Sequence, residues 1–232
     1  MVSASIHRDQ LRRGTFESNI INRNAGFAYL SIPKAANSSI KYALLPTVGL
    51  ADDSEINGVK AIRLIHDQSS GPFSFERKAQ IIADLPPLIF TCVRNTWARL
   101  LSCYQDKVRK TLHGPFSIYG ITSDYSFEDF LEIIAKVPDE LAEIHFRSQL
   151  SLIHHEGRFL PNLVLRAENL HKEWPILQSY FRSQNGIEIS DLRILNRTAN
   201  ENRVTISRRA IEIISTRYKD EIKFFGFSPP EQ

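Results

Sequence analysis

Buried, strand-like runs that pass directly into amphipathic helices are the feature that most restricts the fold of this chain. A strand predicted over 27–32 is followed by a helix over 37–45. A second strand, LIFTCV at 88–93, is followed by a helix over 96–110 whose apolar residues recur at helical spacing. A third strand is predicted at 163–166. This alternation predicts an α/β fold of three layers, similar to P-loop folds, with a central parallel β-sheet flanked by helices.

The remaining segments complete this outline. Asn95 is a suitable N-cap for the helix that follows it, and Ser126 and Asp129 form a partial capping-box pattern. The length of 232 residues predicts one domain over 1–232. The other predicted elements are a polar lead-in that is irregular or an edge element (1–25), loops (46–60 and 111–125), a short strand (61–65) and helices (75–83, 126–134, 141–154, 174–182 and 207–224).

The charge of the chain gives no support to nucleic-acid binding. Apolar residues make up 42% and charged residues 24%, as in ordinary globular proteins. The formal charge is only +3, from 29 basic and 26 acidic residues. The basic residues are scattered in small clusters rather than in one stripe, so no nucleic acid is expected as a partner.

Membrane, disulfide and metal signals are absent from the sequence. No apolar run reaches the roughly 20 residues of a membrane span, and no signal-like apolar segment follows the N-terminus. Cys92 and Cys103 form no CxxC pair, and the seven histidines include no HExxH pattern, so no metal is expected. We therefore expect a soluble protein located in the cytoplasm or, if the sequence is a trimmed domain, in a lumenal compartment.

The turn after the first strand has the composition of an anion-binding loop. Its small side chains allow an anion to approach the backbone, its hydroxyls donate hydrogen bonds, and its lysine adds a positive charge. The unpaired N–H groups of a helix N-terminus favour an anion as well. Unlike common phosphate loops, the stretch contains no glycine. The residues are Lys34, Ala35, Ala36, Asn37, Ser38 and Ser39.

The turn after the second strand offers another anion site. Arg94 directly follows the strand, and a guanidinium group can bind a phosphate through two hydrogen bonds. Ser102, two turns into the helix, can add a hydroxyl if a phosphate lies alongside. Without the first site, Arg94 and Arg99 would be interpreted as surface charges and Ser102 as an ordinary helix residue.

Together, the two turns favour a ligand with phosphates at both ends, such as a nucleotide with 5′ and 3′ groups. The carboxyl ends of parallel strands meet at the ligand-binding edge of a sheet. The sequence contains no G-x-x-x-x-G-K-[ST] and no G-x-G-x-x-G before a helix, so neither an ordinary P-loop nucleotidase nor a dinucleotide-binding protein is supported.

The two turns and their flanking residues resemble those of sulfotransferases that use 3′-phosphoadenosine-5′-phosphosulfate (PAPS). The resemblance is greatest to the carbohydrate sulfotransferase group called sulfotransferase family 2. IPKAANSSIK resembles their 5′-phosphosulfate loop and VRNTWARLLSCY their 3′-phosphate segment. LRAENLHKEWPIL resembles the strand–E-x-L–helix stretch. LNRTANENR, with a later YKDEIKFFGF, resembles the C-terminal loop and the Y-x-x-D-x-x-x-F-G-Y ending. The resemblance spans 25–228.

The resemblance implies site residues and a donor. Lys34 and residues 35–39 would hold the 5′-phosphosulfate, and Arg94 and Ser102 would bind the 3′-phosphate. The loop at 196–203 would close over the nucleotide, with no contact assigned. Thr96 stands where the family usually has proline, and Ala36 and Asn37 where it often has glycine or threonine, changes that remove no implied ligand.

The implied reaction is transfer of a sulfuryl group from PAPS to an acceptor hydroxyl, with no metal. Lys34 would stabilise the charge that develops on the leaving phosphate. Deprotonating the acceptor requires a general base. His66 is the first candidate, because the family often has a functional histidine in that interval. Asp67, His113 and His145 are alternatives.

Two other functions are compatible with the sequence. One is an ATP-dependent small-molecule kinase with a degenerate phosphate loop, although no strand ends in an aspartate that could hold magnesium. Another is a nucleotide-binding module without catalysis, which the presence of both Lys34 and Arg94 disfavours. The acceptor implied by the resemblance is a saccharide or glycoconjugate. Neither the sulfated position nor the oligomeric state follows from the sequence.

Overall fold

The structure, a computed structural model, describes residues 17–50, 58–112, 114–193, 195 and 206–230. Contacts divide the chain into two compact units. The first consists of residues 1–16, 94–152 and 198–232 and is helical in its described parts. The second consists of residues 17–93 and 153–197 and contains the β-sheets. The prediction of a single domain stays a prediction.

The second unit is built on a five-stranded sheet in the order β3-β1-β2-β4-β7. Strands β2, β4 and β7 are parallel to one another, whereas β1 is antiparallel to both of its neighbours. A two-stranded antiparallel ribbon, β5-β6, completes the strands. The bounds are β1 Asn19–Asn22, β2 Phe27–Leu30, β3 Ser74–Glu76, β4 Leu88–Val93, β5 His154–His155, β6 Arg158–Phe159 and β7 Leu163–Arg166.

The helices of the described residues divide between the units. The second unit contains α1 Asn37–Ala43, a 3-10 turn Leu45–Val48, α2 Gly58–His66, α3 Lys78–Ala83 and α7 Leu170–Asn185. The first contains α4 Thr96–Tyr104, a π-helical turn Gln105–Lys110, 3-10 turns Gly114–Tyr119 and Asp139–Leu141, α5 Phe127–Ile134, α8 Arg208–Arg217 and α9 Lys219–Phe225. The short α6 Gln149–Ile153 lies at the boundary.

Aromatic rings form much of the core of the second unit. The Tyr29 and Phe90 rings of β2 and β4 stack with centroids 5.0 Å apart. Phe181 of α7 meets Phe27 edge-on at 5.1 Å. Burial of such rings is the main stabilising contribution to a domain of this size. It also holds β2 and β4 side by side, so the turns that follow them begin at the same edge of the sheet.

The first unit has its own aromatic core. Tyr104, at the end of α4, lies 5.3 Å from Phe127 and 5.8 Å from Phe130 of α5, measured between ring centroids. Phe146 meets the Phe116 ring edge-on at 5.6 Å. The predicted caps are present: Asn95 accepts from the Ala98 N–H, and Ser126 and Asp129 form a capping box. These contacts fix α4, the helix that follows Arg94.

The α/β class with helices flanking a mostly parallel sheet is confirmed, and several element predictions are corrected. The expected short strand at 61–65 is part of α2, whose fully buried Ala61 and Ile65 are one helical turn apart. Part of the expected lead-in, Asn19–Asn22, is a strand inside the sheet rather than an edge element. The helix predicted over 75–83 begins only at Lys78, after β3.

Three further helices differ from their predictions. Of the segment 141–154 only Gln149–Ile153 is α-helical, because the backbone is extended at Ala142 and His154 begins β5. The segment 207–224 is two helices that meet at Tyr218. The segment 96–110 is α-helical only to Tyr104 and then widens into a π-helical turn. None of the described helices combines the length and apolar character that crossing a bilayer requires.

Candidate active site

The turn after β2 contains two residues in an unusual backbone conformation. Lys34 has φ 67° and Ala36 has φ 58°, both in the left-handed region, whereas Ala35 between them does not. This conformation costs a non-glycine residue roughly 1–2 kcal/mol. Alternating backbone handedness also produces concavities of N–H groups that bind anions. The loop therefore adopts, without glycine, a geometry for which glycine is the usual residue.

The first turn of α1 supplies further polar groups. The N–H groups of Asn37, Ser38 and Ser39 lie where no intrahelical carbonyl can pair with them. The Asn37 side-chain oxygen is buried and has no hydrogen-bond partner within the part of the chain that the structure describes. Buried polar atoms are rarely left without a partner. The N–H groups fit an anion in the loop, whereas the buried Asn37 oxygen can only accept and requires a donor as its partner.

His66 lies beside this loop. It is the last residue of α2, it is half-buried, and its Nε2 is 3.1 Å from the Ser38 Oγ. The packing of α2 against α1 brings together the predicted general base and a predicted donor-binding serine, which are 28 residues apart in sequence. General-base catalysis requires such a group within hydrogen-bond reach of the proton that it takes.

Lys41 is a member of this cluster that the sequence did not predict. Its side chain is fully buried, with Nζ 3.4 Å from His66 Nδ1 and 4.8 Å from the centre of the Phe75 ring. Burial lowers the pKa of Lys41 to about 7. The sequence feature that could have indicated its burial is its place inside the run IKYALL, at a position where helical spacing predicts a core residue.

The alternative bases have different surroundings. Asp67 accepts hydrogen bonds from Ser70 and Ser69, which hold the pKa of its carboxyl well below the usual range and make it a poor base. The Nδ1 atom of His145 lies 2.9 Å from a carboxylate oxygen of the buried Glu143, within the first unit. His113 and the loop at 196–203 lie outside the described residues.

Arg94 follows the last residue of β4, and its backbone is held by a buried network. The Gln149 side chain accepts from the Arg94 N–H at 2.9 Å and donates to the Arg94 carbonyl at 2.8 Å. Glu221 of α9, 1% exposed, accepts from the Gln149 amide at 2.6 Å and from the Thr96 hydroxyl at 2.7 Å. The side chains of Gln149 and Glu221 were not predicted to act at this site.

Ser102 and Arg99 lie on α4 in different environments. Ser102 is 5% exposed, and its hydroxyl makes no hydrogen bond to any residue in the described ranges. Arg99 is fully buried and donates to the Ile144 carbonyl at 3.1 Å. The interpretation of Arg99 as a surface charge is therefore wrong.

A comparison with protein families decides the class to which the chain belongs. The model of the sulfotransferase family matches residues 18–228. The chain belongs to the sulfotransferase family. It is therefore a transferase of sulfuryl groups, and the resemblance noted over 25–228 is confirmed at the level of the family. A search of curated proteins and a search of solved structures found no match.

The structure explains the family-like ending of this sulfotransferase. The Tyr218 hydroxyl donates to the Phe146 carbonyl at 2.6 Å, Glu221 binds Gln149 and Thr96, and Gly226 ends α9 with φ 63°. Glu221 stands where the ending Y-x-x-D-x-x-x-F-G-Y has aspartate. Thr96, which stands where the family usually has proline, supplies a hydroxyl that this carboxylate accepts.

Proposed function

We propose that this sulfotransferase transfers the sulfuryl group of PAPS to a hydroxyl of a saccharide or glycoconjugate. The observation that carries the proposal is the contact between Ser38 and His66: the imidazole Nε2 lies 3.1 Å from a hydroxyl of the loop that resembles the phosphosulfate site. The left-handed residues Lys34 and Ala36 support an anion site in the same loop.

The residues have separable roles in this proposal. Lys34 and the N–H groups and hydroxyls of residues 35–39 hold the 5′-phosphosulfate, and Arg94 and Ser102 bind the 3′-phosphate. When bound, PAPS supplies an activated sulfuryl group and leaves as adenosine 3′,5′-bisphosphate. Lys34 stabilises the negative charge that develops on the leaving phosphate oxygen. His66 takes the proton of the acceptor hydroxyl at Nε2, so that the oxygen can bond to sulfur.

His66 is favoured over the other candidate bases by its neighbours. It contacts Ser38 of the donor loop directly, whereas the carboxylate of Asp67 is occupied by Ser69 and Ser70. His145 pairs with Glu143 near the Phe116 ring, and neither of these neighbours is a predicted donor-binding residue. We therefore assign the base to His66.

Thermal stability with two ligands tests the choice of donor. A ligand that binds only the folded protein raises its melting temperature. We expect adenosine 3′,5′-bisphosphate to raise the melting temperature and ATP with magnesium to have little effect. A shift with ATP and magnesium alone would favour the kinase alternative. A shift with the bisphosphate but no transfer from PAPS to any acceptor would favour the non-catalytic module.

The acceptor is tested separately, with labelled PAPS and a panel of neutral and anionic saccharides. We propose a saccharide because of the similarity to the carbohydrate group of the family. Transfer to a lipid or peptide hydroxyl, with none to any saccharide, would contradict this part of the proposal. A cytoplasmic location and the absence of a metal requirement likewise stay predictions.

A further inference from the structure

The buried ammonium group of Lys41 faces few polar groups. The groups around Nζ are the His66 imidazole on α2, at 3.4 Å, and the Phe75 ring on β3, at 4.8 Å. Among the described residues, no carboxylate lies within 4.0 Å of this nitrogen. By contrast Lys78, also buried, has Glu17 at 3.2 Å. Within the described residues, the buried Lys41 ammonium group thus has a histidine side chain, and no carboxylate, as its polar neighbour.

Two cations cannot occupy this pair together. At 3.4 Å, with Lys41 buried and no carboxylate of the described residues within 4.0 Å of its Nζ, a charged Lys41 and a charged His66 would repel strongly. The two side chains therefore titrate as a coupled pair that holds at most one excess proton. The position of this proton determines the hydrogen bonds that the imidazole can make.

When Lys41 is charged, the tautomer of His66 is determined. An ammonium group can only donate, so Nδ1 must accept from Lys41 and cannot carry hydrogen. The neutral ring then carries its hydrogen on Nε2, which donates to the Ser38 Oγ. In this state Nε2 has no lone pair available, and His66 cannot take a proton there.

When Lys41 is neutral, the opposite tautomer becomes available. The amine accepts from the Nδ1–H of His66, and Nε2 presents a lone pair. The acceptor hydroxyl can then take the place of the Ser38 hydroxyl and give its proton to Nε2. As this happens, the proton on Nδ1 passes to Lys41. The pair ends with a charged Lys41 and a neutral His66 that carries its hydrogen on Nε2. Loss of the Nε2 proton to solvent, with return of the Lys41 proton to Nδ1, restores the starting state.

We propose that Lys41 is a positioning residue that acts through His66, selecting its base-competent tautomer and receiving the proton that the ring passes on. This inference rests on the proposed role of His66 as the base. Burial lowers the pKa of Lys41 to about 7, so both states of the pair are accessible near neutral pH.

Nitrogen NMR of the protein without ligand tests the pairing independently of activity. In protein labelled with ¹⁵N-histidine, long-range proton–nitrogen correlations distinguish the two tautomers, and the His66→Gln variant assigns the signal. We expect the Nε2–H tautomer when Lys41 is charged and a growing share of the Nδ1–H tautomer as the pH rises through 7. In Lys41→Met this change should vanish, whereas Lys60→Met, an exposed lysine on α2, should retain it.

Two results would overturn the inference: one tautomer throughout the wild-type titration, or a change that survives in Lys41→Met. Transfer activity provides the second measurement. We expect Lys41→Met to lower kcat on the order of 10-fold or more, with unchanged affinity for adenosine 3′,5′-bisphosphate. An unchanged kcat would contradict the catalytic part. A tautomer change in a protein that transfers no sulfuryl group from PAPS would confirm the Lys41–His66 pair and reject the proposed donor.

Discussion

The Gln149 side chain binds both sides of the Arg94 backbone, accepting its N–H at 2.9 Å and donating to its carbonyl at 2.8 Å. Gln149 is in turn bound by the buried Glu221. An arginine whose backbone is already held in place binds phosphate more tightly, because less conformational entropy is lost on binding. The far end of the chain, through Glu221, therefore supports the proposed 3′-phosphate site.

Glu221→Gln should lower both stability and nucleotide affinity. The variant retains the shape of the side chain but replaces one carboxylate oxygen by an NH₂ group, which cannot accept a hydrogen bond. A buried donor of Gln149, its backbone N–H or its side-chain amide, then loses its acceptor, at a cost of about 1–3 kcal/mol in the free energy of unfolding. Urea denaturation and calorimetry with adenosine 3′,5′-bisphosphate measure the two effects. Glu212→Gln is the control, since Glu212 is exposed and pairs with Arg208 on the surface of α8. Equal effects of the two variants would contradict the network.

Arg94→Ala should weaken binding of adenosine 3′,5′-bisphosphate by roughly 10- to 100-fold, the loss expected for a charge-assisted hydrogen bond of about 1.5–3 kcal/mol. Affinity for adenosine 5′-monophosphate, which lacks the 3′ group, should change little. Arg109→Ala, at an exposed arginine of the π-helical turn, is the matched control. If Arg94→Ala left the affinity for the bisphosphate unchanged, the assignment of the 3′ site would be wrong.

Lys34→Ala should reduce the rate of transfer more than the affinity for the nucleotide. The proposed role of this lysine is to stabilise charge that appears only as the sulfuryl group leaves. Comparison of kcat with the dissociation constant of adenosine 3′,5′-bisphosphate separates the two effects. A loss of equal size in both would mean that Lys34 only binds the donor.

Ala36→Gly should raise the free energy of unfolding by up to about 1 kcal/mol. Glycine removes the cost of roughly 1–2 kcal/mol that φ 58° imposes on alanine, while the greater freedom of the unfolded chain offsets about 0.5–1 kcal/mol of the gain. Ala36→Val, with a branched side chain at the same φ, should lower stability. Urea denaturation of both variants measures the difference, and loss of stability in Ala36→Gly would argue against a strained loop.

Lys41→Met should stabilise the protein, and the gain should depend on pH. The pKa of Lys41 is lowered from 10.5 to about 7 in the folded state, so between these values the unfolded chain binds more protons. Lys41 therefore destabilises the folded protein most below pH 7. This destabilisation decreases as the pH rises over the window, by at most about 1.4 kcal/mol per pH unit. The advantage of Lys41→Met should be largest near pH 7 and shrink as the pH rises.

A matched buried lysine provides the control for this experiment. Lys78 binds Glu17 and donates to the His154 carbonyl at 2.8 Å, so Lys78→Met should destabilise by about 1–3 kcal/mol. Stability curves measured from pH 7 to alkaline pH compare the two variants. Destabilisation by both would show that Lys41 is an ordinary structural lysine.

The local pattern of the chain determined the main parallel strands, several helices and the two turns with anion-binding composition. Strand and helix periodicity, the cap at Asn95 and the capping box at Ser126 depend on neighbouring residues, and these are visible in sequence. The segment 61–65 was misassigned because a short apolar run fits strand and helix equally well. The segment 141–154 was misassigned because Ala142 is extended and its carbonyl accepts from the Arg147 guanidinium rather than from a helical N–H.

The sequence by itself therefore determined the fold class, the family and the residue types of the two turns, because these depend on periodicity and on contiguous motifs. Only the tertiary structure decided that Lys41 is buried against His66, that Ser38 contacts the same ring, and that Glu221 supports Arg94 through Gln149. Hydrogen bonds and desolvation act between residues that are distant in the chain, so no local pattern can encode them.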